Sequence, residues 1–291
     1  MPVITSRDYI STEMYLKNKD KYNYNSFIFG SSRTIAFRPE SWKKYLNQSD
    51  QPFVFDGSSE NINGVYQKIA FINNQKAKIN NALIIIDHDA TFTRDDDSPG
   101  HLTVKHRAIS GSSFFSFHFI FFRVFTTPEF LYYFLKYKFT HHYDDSMFGY
   151  IENRKIKMDT VNNQITIEDH ERELTYNPAG YYGKRKAFFY QRKGEVVDSK
   201  NKITDSHVKT MQEIVNIFKA QKTDYKIIIS PLYEQVKFST HDLQKLEKIF
   251  GNHLYDFSGA NEFTSSVSNY YEASHYRPLV GDAILKRIYN K

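Results

Sequence analysis

The chain has 291 residues, a net charge of +6 and a pI near 9.1, with 25 Phe, 22 Tyr, one Trp and no cysteine. The lack of cysteine excludes disulfides, thiolate zinc sites and cysteine nucleophiles. The basic balance permits attraction to anionic lipid, polysaccharide or nucleic acid without demanding any of them, and the clusters Lys184-Arg185-Lys186 and Arg192-Lys193 read as solvated surface with no nucleic-acid module around them. A chain of this length can bury about three quarters of its unfolded surface. So many rings imply that some line a groove or a half-exposed surface, which would suit a carbohydrate or lipid-like partner.

Tyr9 to Tyr22 is polar and partly helical; it is expected on the outside, with Asp20-Lys21-Tyr22-Asn23 as a loop. In Asn25-Ser26-Phe27-Ile28-Phe29-Gly30-Ser31-Ser32-Arg33 an apolar run breaks into small polar residues. This predicts a buried strand over 27–29, a turn at Gly30 and a hydroxyl, Ser32, at the strand's C-terminal edge. Pro39 to Leu46 reads as a helix with proline in its first turn and Trp42, Tyr45 and Leu46 on one face. A second strand, 53–56, stops at Gly57-Ser58-Ser59, and Ile62, Val65, Ile69 and Ile72 have helical spacing. Ala82-Leu83-Ile84-Ile85-Ile86 is a branched run without polar alternation, as a parallel strand covered on both faces requires.

From Ala90 to about Asn201 the rhythm changes, predicting a large insertion. It opens with a charged turn, 93–100. Phe114 to Phe125 is ring-rich, and Thr127-Pro128-Glu129 starts a helix through Phe130, Leu131, Phe134 and Leu135. Two readings stand for this pair: helices packed on the core, or a lid or membrane-facing surface beside the active site. A small hairpin is predicted over 156–159 and 164–167, and an aromatic loop at Asn177-Pro178-Ala179-Gly180 and the tyrosines beyond. The alternation then resumes: a helix over 206–222, a strand over 226–230, a helix capped by Thr240 and ended by Gly251, a short strand over 253–257 and a last helix from Pro278 to Tyr289. There is no internal repeat or low-complexity tract.

Strands alternating with helices at this spacing imply right-handed crossovers and an open sheet. The fold class is therefore α/β: a three-layer sandwich with a mostly parallel sheet, one domain over 1–291, with an inserted helical and aromatic region over 90–201. Functional groups in such a fold gather beyond the C-terminal strand ends, where Ser32, Gly57 and Asp87-His88-Asp89 emerge.

A serine becomes a nucleophile when a base takes its proton, and an imidazole serves better when a carboxylate fixes its tautomer. Ser32, His275 and Glu272 supply the three roles, the last two from Tyr271-Glu272-Ala273-Ser274-His275-Tyr276 before the final helix. Taken singly, Ser32 reads equally as a turn residue and His275 as a surface histidine.

Gly30-Ser31-Ser32 on the first strand, Gly57 after the second and an acid-x-x-His before the C-terminal helix resemble the SGNH (GDSL-like) hydrolases. The likeness is closest to the bacterial branch reading Gly-Ser-Ser-Arg, which includes acetylesterases and acetyltransferases of surface polysaccharides. It runs from about Tyr22 to Tyr289, outside the insertion. The resemblance implies a flavodoxin-like sheet order and a cofactor-free acyl-enzyme reaction on a carbohydrate ester. Ser32 would be the nucleophile, His275 the base and Glu272 the orienting acid. The amides of Ser32 and Gly57 would be oxyanion donors, each worth roughly 3 kcal/mol; Gly57 also reads as a plain turn former. Two departures stand out. Glu272 replaces the usual aspartate, and Asp87-His88-Asp89 stands where the family offers an asparagine, leaving His88 as the candidate third donor or the site weak or lost. The rival reading is thus a non-catalytic protein of the same fold that binds a surface glycan.

Arg33 reads as a contact for an anionic sugar or acyl group or as the partner of a structural acid such as Asp56; Arg277 carries the same structural reading. Neither Asp87-His88-Asp89 nor His141, His142, Asp144 and Asp145 has a recognised metal spacing, and Gly30-Ser31-Ser32-Arg33 lacks a phosphate loop's lysine, so no metal or cofactor is expected. The N-terminus lacks a signal-peptide core and no stretch reaches roughly 18 apolar residues. The chain reads as soluble as given. Relatives are often tethered outside the inner membrane, which raises membrane association through a missing N-terminal anchor.

Overall fold

A computed structural model of the chain describes residues 3–93, 100–147 and 149–290. Five strands, β1 (Ser26–Gly30), β2 (Pro52–Asp56), β3 (Asn81–Ile86), β4 (Asp224–Ile229) and β5 (Leu254–Asp256), form one all-parallel sheet in the order β2-β1-β3-β4-β5. The longer helices are α1 (Arg7–Tyr22), α2 (Ile62–Asn74), α3 (Phe114–Phe125), α4 (Pro128–Thr140), α5 (Asp205–Gln221), α6 (Thr240–Phe250) and α7 (Pro278–Tyr289).

The strand period of two sorts the sheet into two cores. Phe27, Phe29, Phe53, Phe55, Ile84 and Ile227 face the layer of α1, α2, α5 and α6. Ile28, Val54, Leu83, Ile85 and Ile228 face the other layer, where Trp42 and α7 close the fold. Strands buried on both faces have no use for a polar alternation, which is why β1 and β3 read as continuous apolar runs. Because β1 has β2 on one side and β3 on the other, the connections from β1 and β3 leave in opposite directions and open a crevice at their C-terminal ends.

Three sequence expectations need correction. Helix α1 continues through Asp20-Lys21-Tyr22 and stops at Asn23, whose left-handed conformation (φ 52°) ends it. It belongs to the covering layer: Tyr15 is buried against Phe55, but the rest of its buried face is Asp8, Ser11 and Thr12, so the hydrophobic period is weak. Asn177 opens a helix (Pro178–Lys184) in place of the aromatic loop, its side chain accepting from the Gly180 amide with proline at the first helical position. Helices α3 and α4 both form, α4 from the expected start at Thr127 and α3 from a cap at Ser113, but only Phe117 and Phe130 are buried in them, so they are not packed on the core. Of the charged turn, 94–99 lie outside the described residues.

The expected hairpin forms, Ile156–Met158 pairing with Ile165–Ile167, and does a second job. Its turn lies along the edge strand β2: the Val54 amide donates to Asn162 O at 2.9 Å, and the buried Asn163 side chain donates to Val54 O at 2.6 Å. An exposed edge is thereby covered. On the far layer, α7 runs so close to the turn after β1 that a side chain on Gly281 would collide with Ala36 O.

Candidate active site

Gly30 has φ +143°, and a Cβ there would lie 2.7 Å from Ile85 O. Glycine is therefore required for the chain to leave β1 this close to β3. The chain then enters a 3₁₀ turn, Ser32–Ala36, which points Ser32 outward while Arg33, Thr34 and Ala36 are buried. As the first residue of the turn, Ser32 has an amide that the turn itself leaves unpaired.

At the other end of the chain, Tyr270–Glu272 and His275–Tyr276 pair as a short antiparallel hairpin in which Glu272 and His275 are direct register partners. An acid and a histidine three apart thus face each other across a tight turn. His275 Nε2 lies 2.7 Å from Ser32 Oγ, and its Nδ1 makes a short hydrogen bond to Glu272 Oε1. Burial works to raise the Glu272 carboxyl, but the hydrogen bond from His275 and the charges of His275, Arg154 and His170 outweigh it and hold the group below its ordinary value of 4.5. The carboxylate is therefore ionised at neutral pH and fixes a proton on Nδ1, leaving Nε2 free to accept from the serine.

The hairpin is held from behind by residues of the predicted insertion. Tyr181 and Tyr182 donate to the carbonyls of Tyr271 and Tyr270, each at 3.0 Å, and Tyr271 OH bonds Glu171. Ile167, Leu174, Tyr181 and Tyr271 form a small core beneath it. Tyrosines with one polar tip and an apolar body suit such a buttress.

Ser32 and His275 open onto a cavity of about 730 Å³, whose other walls include Arg7, Ser58, Ser59, Arg154 and Met158. Arg7 is held by Asp56 at 2.7 and 3.1 Å and by Asn163. Arg154 is held by Glu152 through two bonds of 2.8 Å. Sequence reasoning assigned neither arginine to the site.

The other expected residues are placed differently. The Gly57 amide donates to Gly30 O at 3.2 Å, continuing the sheet ladder, and is committed to the backbone instead of pointing to the serine. A Cβ on Gly57 would fall 2.4 Å from Glu60 Oε2. That carboxylate belongs to a buried cluster of Asp8, Glu60, Lys68 and Lys105, in which Lys68 also holds Asp56 O at 2.8 Å. Glycine here makes room for the ions that pin the end of β2.

Arg33 is buried and bonds Asp87 at 2.6 Å and Asp89 at 2.8 Å, so it does not reach for a ligand and its partner is not Asp56. Asp87 also accepts from the amides of Ala90 (2.7 Å) and Thr91 (3.1 Å). The two carboxyls move in opposite directions: burial, with the hydrogen bond and charge of Asp89, pushes Asp87 up to about 6 against the charge of Arg33, while Asp89 is held below its ordinary value, where burial is outweighed by the hydrogen bond with Asp87 and the charge of Arg33. His88 does not line the cavity; its ring lies beside Phe238, with Nε2 3.7 Å from Glu234, and burial pushes its imidazole down. It is therefore not a third oxyanion donor in this arrangement. Arg277 bonds Ser268 O at 2.9 Å. Among the described residues, no group of three His, Asp or Glu side chains is placed to hold a metal ion.

The chain matches no protein-family model and no curated protein.

Proposed function

We propose that the chain is a serine-dependent ester hydrolase or O-acyltransferase of the SGNH kind, acting through an acyl-enzyme on an acyl group, most simply acetyl, carried by a carbohydrate. One observation carries this reading: the hydrogen-bonded line from Ser32 Oγ through both nitrogens of His275 to Glu272. The sheet order and the crevice at its switch point support it.

In the first half-reaction Ser32 Oγ attacks the ester carbonyl and its proton passes to His275 Nε2. The new imidazolium is stabilised by Glu272, and the Ser32 amide faces the oxyanion. The tetrahedral adduct collapses, His275 returns the proton to the departing sugar oxygen, and the acyl group stays on Ser32. Water or a second sugar hydroxyl, deprotonated by the same imidazole, completes hydrolysis or transfer.

The rival reading, a glycan-binding protein with a silent serine, draws on a specific observation: the Gly57 amide is spent on Gly30 O and His88 lies off the cavity beside Phe238, which strips two donors from the expected oxyanion set. Incubation with p-nitrophenyl acetate and with a fluorophosphonate probe separates the two. Labelling that disappears in Ser32→Ala supports the enzyme. A chain that neither turns over the ester nor takes the label belongs to the rival. Acceleration by added sugar identifies a transferase.

A further inference from the structure

Helices α3 and α4 carry large apolar side chains outward on a scale that nothing in the fold explains. Phe115 is 83% exposed, Phe119 60%, Phe122 62% and Phe139 78%, and Tyr132, Leu131 and Leu135 are exposed as well. The pair is nevertheless built firmly. Ser113 and Thr127 cap the two helices, Phe125 and Phe130 lie edge to face with centroids 4.9 Å apart, and Phe117 stacks on Tyr9 at 5.9 Å. Its root is thus on the first turn of α1, whose Arg7 lines the cavity. Soluble proteins rarely keep so large an apolar face bare.

The lengths limit what covers it. Twelve and thirteen residues make helices of about 18 and 20 Å, well short of the ~30 Å hydrocarbon core, and no helix among the described residues is long and apolar enough to cross a membrane. Charge narrows it further. Between residues 100 and 143 Glu129 is the sole acid, against Lys105, Arg107, Arg123, Lys136 and Lys138. Glu129 accepts from Tyr150, Lys105 is taken by Glu60 and Lys136 by Asp144. Among the described residues Arg123 and Lys138 meet no carboxylate, and both are exposed. Two copies of this face meeting about a two-fold axis would bring like charges together with one acid each to answer them.

We infer that the pair α3–α4 is a docking surface for an anionic lipid bilayer, lying in the headgroup layer with its Phe rings at the acyl boundary and Arg123 and Lys138 at the phosphates. Aromatic rings with flanking cations are the composition that such a position selects. The inference stands apart from the esterase reading, since it requires nothing of Ser32.

The test is co-sedimentation of the whole chain with phosphatidylcholine vesicles made with and without phosphatidylglycerol. Binding is expected only with the anionic lipid, weakening as salt rises. Arg123→Glu with Lys138→Glu should weaken it by at least 25-fold, about fivefold for each cation lost, and Phe115→Ser with Phe119→Ser and Phe122→Ser should abolish it. All these side chains are exposed, so circular dichroism and Tm should not move. Trp42 is buried in the core, so in Phe119→Trp a blue shift of emission on anionic vesicles reports the helix itself. No binding to these vesicles overturns the proposal, as does binding that the variants leave unchanged. A wild-type dimer that the serine variant converts to monomer overturns it too and gives the face to a second copy.

Discussion

The turns that follow β1 and β3 leave the sheet side by side and spend their polar groups in opposite directions. After β1, Ser32 turns its hydroxyl outward to a cavity and to His275. After β3, Asp87 turns inward to Arg33 and to two amides of its own loop, and Asp89 closes on the same guanidinium. Arg33 is the next residue after Ser32, so a single short turn sends one side chain to the candidate chemistry and the next to hold the neighbouring strand end. Reactive and supporting groups are thus separated by alternation between two adjacent residues instead of by distance. A charge pair buried this way rigidifies the crevice, and it explains why an aspartate stands where a neutral donor was expected: the position carries the counter-charge of Arg33.

Given this division, substitutions on the two turns must fail differently. Ser32→Ala should lower kcat/KM toward p-nitrophenyl acetate by about 10⁴-fold or more with Tm within about 1 °C of wild type, because the side chain is exposed; an equal loss of stability would erase the contrast. Asp87→Ala should do the reverse, removing the buried partner of the Arg33 cation and leaving it only the exposed Asp89, at a cost of up to roughly 3–5 kcal/mol. In a chain of this size that is a fall in Tm of up to about 5–8 °C. Arg33→Met added to Asp87→Ala should restore much of it, and a double variant no better than the single would show that the pair is not the source.

Glu272→Gln comes next. Turnover should slow by about 10²- to 10³-fold, or roughly 3–4 kcal/mol, with little change in KM, since the carboxylate acts on the imidazole and not on the substrate. A change confined to KM would make it a binding residue. Acid titration is gentler. At the β3 turn the two shifts oppose each other, Asp87 pushed up to about 6 and Asp89 held down, but the Glu272 carboxyl is held below its ordinary value of 4.5, so the unfolded chain binds that proton more readily and the group stabilises the fold above that value. That contribution should be lost as pH falls below about 4.5 toward the folded value, seen as a Tm that declines on acidification and declines less in Glu272→Gln. The smallest effect is expected for Asp89→Ala, whose carboxylate is partly exposed and worth under about 1 kcal/mol.

Much of the sheet was legible because its signals are local. Branched runs without alternation mark strands covered on both faces, and Pro278 to Tyr289 has the helix bounds that the structure gives it. The Ser32, Glu272 and His275 positions were legible as candidates for a different reason: each sits at a turn where a strand or hairpin ends. What was not legible depends on partners distant in sequence. Whether the Gly57 amide is free is decided by Gly30 O, and whether Arg33 is a ligand or a strut is decided by Asp87, more than fifty positions away. The polar buried face of α1 hides its role for the same reason, because Asp8, Ser11 and Thr12 show as core only when their acceptors and donors are in place.

The hairpin that supplies the imidazole has a consequence for biosynthesis. Ser32 and His275 are 243 positions apart, and at about 5–20 residues per second the serine waits roughly 12–50 s in the nascent chain before its base has been made. The first strand and its turn can take shape while the polypeptide is still on the ribosome, but the hydroxyl has no proton acceptor until residue 275 has been made. A fragment cut short before residue 275 would keep the nucleophile and lack the means to use it, so any activity of this site would report that the far end of the chain has arrived and docked.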